Sequence, residues 1–343
     1  MAMLRRLPLA LPLSPSRRLV RGVALTVIGG GIVSLLALAI WFRFTQGRRL
    51  LVSITSWPGN EYLYLAEQRQ LARPFGLDLV IKQTSSLADQ RQAFVRGDHN
   101  VMATTVPEAI AVCQEAPKRC PELMLVLDES LGADRLIGRS GLSAPAQLVG
   151  QRVGLERTVL AEYLLLRSFA GQPIRLEDLQ LRFDGPVALV RALQAGDLDA
   201  IVTYAPHDTP LRTDPRFREL FSSRRVPGEI VDVIAVAPEF ARTRRRDLQA
   251  LVRTWWAAQA YARQRRREAV EVMAQRQQIT SDQFRESERG LRYPDASQQR
   301  LLLASDGPVA RSIERLAQLM RQAGRLEAGA PLPRPTTAFL EAP

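Results

Sequence analysis

The sequence predicts an α/β protein of two Rossmann-like lobes that face each other across a cleft, preceded by one N-terminal transmembrane helix. Strand and helix patterns alternate from about residue 50, a second series of the same units begins near residue 152, and one early run of 21 residues carries no charge. A chain of 343 residues is long enough for two lobes with separate cores.

The uncharged run is Gly22–Phe42, with five Arg before it and three closely after it. At about 1.5 Å per residue, a helix of this length spans a hydrocarbon core of roughly 30 Å. The flanking charge predicts a cytoplasmic segment at residues 1–21, a signal anchor at 22–42 and the bulk of the chain in the periplasm, held on the inner membrane by a single pass. The alternative is a signal peptide cleaved near Ala37-Leu38-Ala39.

The formal net charge of +12 is concentrated at the N-terminus. Residues 1–49 carry eight Arg and no acidic residue, which leaves +4 for the rest of the chain. No basic stripe with interleaved aromatic residues occurs, so the sequence does not predict a nucleic-acid partner.

The first series of elements begins with a short strand at Leu51–Thr55 and a helix at Tyr62–Leu71. A strand at Leu77–Gln83, a helix at Leu87–Arg96, a strand at Asn100–Thr104, a helix at Pro107–Glu115 and a strand at Glu122–Leu127 follow. Alternation of this kind predicts a mainly parallel open sheet, and the apolar strands fit burial beneath helices on both faces.

The second series has strands at Arg152–Leu155, Leu179–Phe183, Leu198–Thr203 and Ile230–Ala237, with helices at Leu160–Ala170 and Pro186–Gln194. The region from Ala241 to Leu326 is then predicted to be helical. Apolar residues from Leu248 to Trp256 recur at helical spacing and form one buried stripe. In the Pro-rich tail, residues 327–343, only the apolar residues Phe339 and Leu340 indicate that the tail docks on the folded protein.

Cys113 and Cys120 are the only cysteines, and His99 and His207 the only histidines. Export to an oxidising compartment favours a short-loop disulfide between the cysteines, and two unpaired thiols are the alternative. No metal site, cofactor or catalytic constellation is predicted from these residues.

A series of short motifs carries a family resemblance: SWPGNEYLYLA, VMATTVPEA, LDESLGAD, LVGQRVGLE, LQAGDLDAIVTYAP and VDVIAV, in this order. Together they resemble the nitrate, sulfonate, taurine and thiamine-precursor group of type II periplasmic binding proteins of ABC transporters, over roughly residues 50 to 326. The resemblance implies two lobes joined by two crossing strands, with lobe I at 50–136 plus 232–326 and lobe II at 137–231.

The resemblance also implies that the chain is not an enzyme but the solute-binding component of an importer, with a permease and an ATPase as partners. The candidate ligand-binding positions in these motifs carry no Lys or Arg, which disfavours a simple anion and favours a small, nitrogen-containing solute. A membrane-anchored sensor ectodomain and a thiamine-pyrimidine biosynthetic enzyme are the alternatives. The anchored chain is expected to act as a monomer.

Ligands of open α/β sheets bind beyond the carboxyl ends of strands, and polar or aromatic residues at those ends are the candidates. Trp57 could stack on a planar solute or cap the sheet, and Thr105 could bind solute or cap a helix. Asp134 fits a hinge role better than a ligand contact. The predicted ligand-binding residues are Ser56, Trp57, Asn60, Thr104, Thr105, Asp128, Ser130, Thr158, Tyr204, Asp208 and Asp232.

Overall fold

The structure, a computed structural model, describes residues 48–340 and arranges them in two β-sheets covered by helices. The first sheet comprises β1 (Arg48–Ile54), β2 (Leu77–Gln83), β3 (Val101–Thr105), β4 (Glu122–Ser130), β10 (Val231–Val236), β11 (Leu291–Arg292) and β12 (Arg334–Pro335). Its order is β11-β4-β10-β3-β1-β2, and β12 pairs with β4.

The second sheet comprises β5 (Asp134–Arg139), β6 (Arg152–Leu155), β7 (Gln180–Phe183), β8 (Ala200–Tyr204) and β9 (Phe217–Ser222). Its order is β7-β6-β8-β5-β9. In both sheets three neighbouring strands are parallel, β2-β1-β3 in the first and β7-β6-β8 in the second. Their carboxyl ends therefore lie at one edge of each sheet, which is where an α/β protein binds its ligands.

The expectation of mainly parallel sheets was wrong, because both sheets are mixed. Strand β10 runs antiparallel between β3 and β4, and β5 runs antiparallel between β8 and β9. These two strands follow the segments that cross from one sheet to the other, and each enters its sheet in the reverse direction. Strands β5 and β9 were not predicted, because their segments DRLIGR and FRELFS mix charged and apolar residues without the long apolar run of a buried strand.

Twelve α-helices are described, and the predicted alternation of strand and helix is present from β1 to β4 and again from β6 to β8, whereas β4, β5 and β6 follow one another without an α-helix between them. The helices are α1 (Glu61–Gln68), α2 (Leu87–Arg96), α3 (Val106–Glu115), α4 (Val159–Ser168), α5 (Pro186–Ala195), α6 (Thr209–Arg212), α7 (Pro238–Thr243), α8 (Arg245–Gln264), α9 (Arg266–Arg276), α10 (Ser281–Glu288), α11 (Ala296–Leu302) and α12 (Pro308–Gln322).

In helix α8, the apolar stripe predicted from the sequence forms part of the hydrophobic core. Leu248, Leu251 and Trp255 lie on one stripe and are fully buried against the first sheet and its helices. Full burial of a large apolar side chain stabilises a protein by about 1.5–3 kcal/mol. The C-terminal tail also docks: Phe339 is buried in the same cluster, and the carbonyl of Ala338 accepts a hydrogen bond from Arg245 (2.7 Å).

Two segments connect the sheets, residues 131–133 between β4 and β5 and residues 223–230 between β9 and β10. They are hydrogen-bonded to each other, because the Ser223 hydroxyl lies 2.8 Å from the hydroxyl of Ser130 and accepts from the amide of Gly132 at 2.7 Å. Gly132 has φ +113°, a conformation that glycine adopts without strain. The two connecting segments therefore run side by side between the two sheets.

The predicted transmembrane run at residues 22–42 lies outside the described residues. Within residues 48–340, no helix is long and apolar enough to cross a membrane. Cys113, at the end of α3, and Cys120, just before β4, are joined in a disulfide.

Candidate functional site

A cleft opens between the two sheets, at the carboxyl ends of their parallel strands. The empty space between its walls is about 690 Å³ with the mouth included, but the cavity within the cleft has a volume of only about 50 Å³. One water needs about 10–15 Å³ by that measure, so the space as it stands suits a ligand of few non-hydrogen atoms. The walls are formed by Thr55, Ser56, Trp57, Ser85, Ser86, Leu87, Thr105, Asp134, Glu156, Thr158, Leu160, Ala161, Leu164, Val202, Tyr204 and Asp232.

Trp57, in the loop after β1, packs between the two halves of the site. Its indole N–H donates to the Asp128 carboxylate, at 3.2 Å to Oδ1 and 3.4 Å to Oδ2. Its ring meets Tyr204 of the second sheet edge to face, with the ring centres 5.9 Å apart. Gly59 makes room for this arrangement, because a Cβ there would lie 1.8 Å from Asp128 Oδ2. The loop after β1 is therefore shaped around a buried carboxylate.

Asp232 lies at the centre of a polar row that crosses three strands. On β10 it is paired in register with Thr105 of β3 and with Asp128 of β4. Across the cleft, Asp134 and Tyr204 are paired in register on β5 and β8. The antiparallel strands β10 and β5 thus each bring an acid to the cleft.

The carboxyl groups at the cleft are held in poorly solvated positions, which favours their protonated forms. Burial raises the pKa of Asp128 to about 8 and that of Asp134 to about 6. Burial likewise raises the pKa of Glu156 to about 7, although the hydrogen bond from the Tyr204 hydroxyl opposes the rise. The pKa of Asp232 lies well above its usual value, through burial and then through the neighbouring Asp128.

No Lys or Arg is among the described residues that line the cleft, so these acids have no cationic partner there. Asp134 Oδ2 is buried and has no hydrogen-bond partner within residues 48–340. Unpaired buried carboxylates are costly, and a ligand that donates hydrogen bonds or carries positive charge would relieve that cost.

Three helices begin at the cleft, and side chains of the protein cap each of them. Ser86 accepts from the amide of Asp89 at the start of α2, and Thr105 from that of Glu108 at the start of α3. Thr158 accepts from the amide of Ala161 at the start of α4 (3.1 Å). The local motif in each case is a hydroxyl residue three positions before the amide it caps.

Six of the eleven predicted site residues line the cleft: Ser56, Trp57, Thr105, Thr158, Tyr204 and Asp232. The other five do not form its walls. Asp128 lies behind Trp57 on β4, which is longer than predicted because β10 and β11 both pair with its end. Ser130 holds the crossing segments together.

Three predicted residues are engaged elsewhere. Asn60 donates to the Thr55 hydroxyl (3.2 Å). Thr104 is buried in β3 beside the site, and Asp208 forms an ion pair with Arg135 at 2.7 Å.

Ser85, Ser86 and Glu156 line the cleft but were not predicted, and Asp134, which was expected at the hinge, also lines it. The SSLAD motif at the start of α2 is a recognisable cap signal and could have identified Ser86. Asp134 could not be placed without β5, because its position depends on the register of that strand with β8.

Several known proteins resemble this chain in sequence or in fold. The taurine-binding periplasmic protein of Escherichia coli is 24% identical over 231 residues, which are 65% of this chain and 70% of that protein. The alkanesulfonate-binding protein of Xanthomonas axonopodis, bound to MOPS, has a TM-score of 0.65 at 16% identity and covers 81% of this chain and 94% of its own.

Two further solved structures of similar fold have functions that differ from each other, since one is a binding protein and the other an enzyme. A ligand-binding component of an ABC-type import system from Staphylococcus aureus has a TM-score of 0.67 at 14% identity, covering 86% of this chain and 99% of its own. A mutant of the desulfurization enzyme DSZB, in complex with biphenyl-2-sulfinic acid, has a TM-score of 0.59 at 17% identity, covering 84% of this chain and 97% of its own. The fold is therefore shared by binding proteins and an enzyme.

Two mixed sheets, two crossing segments and an intervening cleft define the class: the protein has the α/β fold of the periplasmic binding proteins. Residues 49–277 match the NMT1-like family, and the chain belongs to that family.

Proposed function

We propose that this protein is the extracytoplasmic solute-binding component of an ABC-type importer and that the cleft holds a small nitrogen-containing solute. The observation that carries the proposal is a cleft wall with three acids, Asp134, Glu156 and Asp232, and no Lys or Arg among its described residues. An amine, amidine or aminopyrimidine would donate hydrogen bonds to these carboxylates and offset their desolvation. Kinship with binding proteins supports the transport role.

The mechanism in this proposal is hinge closure. Lobe I would be built on the first sheet and lobe II on the second, near the predicted bounds of 50–136 with 232–326 and 137–231, and the crossing segments 131–133 and 223–230 would bend between them. Solute that contacts Asp232 on one lobe and Glu156 on the other favours the closed form by its extra contacts. A membrane anchor at residues 22–42 would keep the monomeric protein near its permease and raise its effective concentration there.

Catalysis is the rival function, because the enzyme DSZB shares the fold. Cys113 and Cys120 are bonded to each other, so neither offers a thiol nucleophile. His207 packs edge to face on Tyr204 at 5.2 Å, and His99 packs on Phe94. Solute capture needs only the cleft that the structure presents.

The test is a thermal-shift and calorimetry screen of the full chain with small amines, guanidine, aminopyrimidines and, as anions, nitrate and ethanesulfonate. A nitrogen-containing ligand at about 100 times its Kd should stabilise the protein by about 2.7 kcal/mol. Binding should tighten as the pH rises from 5 to 8, because the cleft acids must ionise to pair with a cation.

Two variants make the test specific. Asp232→Asn, in the cleft, should weaken binding at least about tenfold, since one charge-assisted hydrogen bond is lost. Asp78→Asn changes an exposed acid on β2 of the same sheet and should leave the affinity unchanged. Stabilisation by the anions alone, or equal losses in both variants, would overturn the proposal.

A further inference from the structure

The first turn of α4 already has an anion, and it comes from the protein itself. The amides of Val159 and Leu160 donate to Glu108 Oε1, at 2.6 and 3.4 Å. The amide of Ala161 donates to the Thr158 hydroxyl, and the amide of Thr158 itself donates to the carbonyl of Glu156 (2.8 Å). All four amides that a helix leaves free at its start therefore have acceptors within the protein.

Glu108 reaches this position from the other half of the molecule. It lies on α3, which follows β3 of the first sheet, whereas α4 follows β6 of the second. Its side chain is fully buried, and its second oxygen forms an ion pair with Arg91 of α2. Thr105 and Thr158, the caps of the same two helices, both line the cleft. The carboxylate thus lies next to the solute site without forming part of its wall.

A helix start beside a cleft is a general binding position for sulfonate, phosphate or carboxylate groups, because its free amides and its dipole attract negative charge. Here that position is filled by a buried carboxylate with its own arginine partner. A second anion would find no free amide and would approach a like charge at short range. Two of the compared proteins are named for taurine or alkanesulfonate binding, so a sulfonate is the anion to test.

We propose that Glu108 determines specificity by occupying the anion position at the start of α4, so that the cleft rejects ligands with a sulfonate or carboxylate group there. This inference rests on the proposal that the cleft is the solute site. Glu108 excludes anions from the start of α4, which the acids of the cleft wall do not occupy. Those acids lie on β5, on β10 and in the loop after β6.

The experiment replaces Glu108 by Ala in the full chain and measures ethanesulfonate binding by calorimetry at pH 7.5. Removal of the carboxylate leaves two amides of α4 without an acceptor and releases Arg91 Nη1, while Arg91 Nε still pairs with Glu115. We expect no binding to the wild type up to about 10 mM and a Kd of about 1 mM or tighter for Glu108→Ala. Glu115→Ala is the matched control, because Glu115 also pairs with Arg91 (3.0 Å) but does not reach α4.

If Glu108→Ala does not fold, as judged by circular dichroism, Glu108→Gln retains the shape and removes the charge, and it should still gain at least threefold in affinity for ethanesulfonate. The inference is overturned if the wild type binds ethanesulfonate, if neither variant gains affinity, or if Glu115→Ala gains as much. Amine binding by the wild type is measured separately, so failure of the proposed function gives a different result.

Discussion

Replacement of Glu156 by Gln should stabilise the protein in a pH-dependent manner. Burial raises the pKa of this carboxyl from 4.5 to about 7. The folded protein therefore holds the proton more tightly than the unfolded chain, and stability is lost as the pH rises from 4.5 through 7. At about 1.4 kcal/mol for each pKa unit, ionisation of Glu156 costs up to about 3 kcal/mol. Gln cannot ionise and still accepts the hydrogen bond from Tyr204.

The assay is urea unfolding of the full chain, wild type and Glu156→Gln, at pH 4.5, 6 and 8. The difference in unfolding free energy should be near zero at pH 4.5 and reach about 3 kcal/mol in favour of the variant at pH 8. Asp134, Asp128 and Asp232 titrate in both proteins, so the difference isolates Glu156. A difference that does not vary with pH would refute the argument.

Two further changes test the loop after β1. Trp57→Phe keeps an aromatic ring against Tyr204 but removes the hydrogen-bond donor to Asp128. It should lower the unfolding free energy, measured by urea titration, by about 1–3 kcal/mol. An unchanged unfolding free energy would mean that this hydrogen bond contributes nothing to stability. Gly59→Ala places a Cβ 1.8 Å from Asp128 Oδ2 and should lower the Tm by several degrees, whereas Gly141→Ala, with open space around it, should not; equal Tm values would contradict the geometry.

The sequence was informative wherever one local signal decided the structure. The helix over Leu87–Arg96 was placed at its observed limits, and in the structure Ser86 caps its start while Gly97 ends it in a left-handed conformation. The strands at Leu77–Gln83 and Arg152–Leu155 were also placed at their observed limits.

The candidate site was predictable in part for the same reason. Trp57, Thr105, Thr158 and Tyr204 follow or end recognisable strands, and all four line the cleft. Asp128 was expected beyond the end of β4, yet it lies within that strand and is shielded by Trp57. Strand β4 extends three residues beyond its predicted end at Leu127, and Asp128 therefore lies in the strand and not in the wall of the cleft.

By itself, the sequence determined the alternation of strands and helices, the caps of the helices and the polar ends of the parallel strands, because each depends on residues near one another in the chain. Only the tertiary structure decided the direction of β5 and β10, the meeting of Asp232 with Asp128, and the capture of the α4 amides by Glu108. These features join residues about fifty to a hundred positions apart, and their geometry follows from sheet register and from the packing of one half of the molecule on the other.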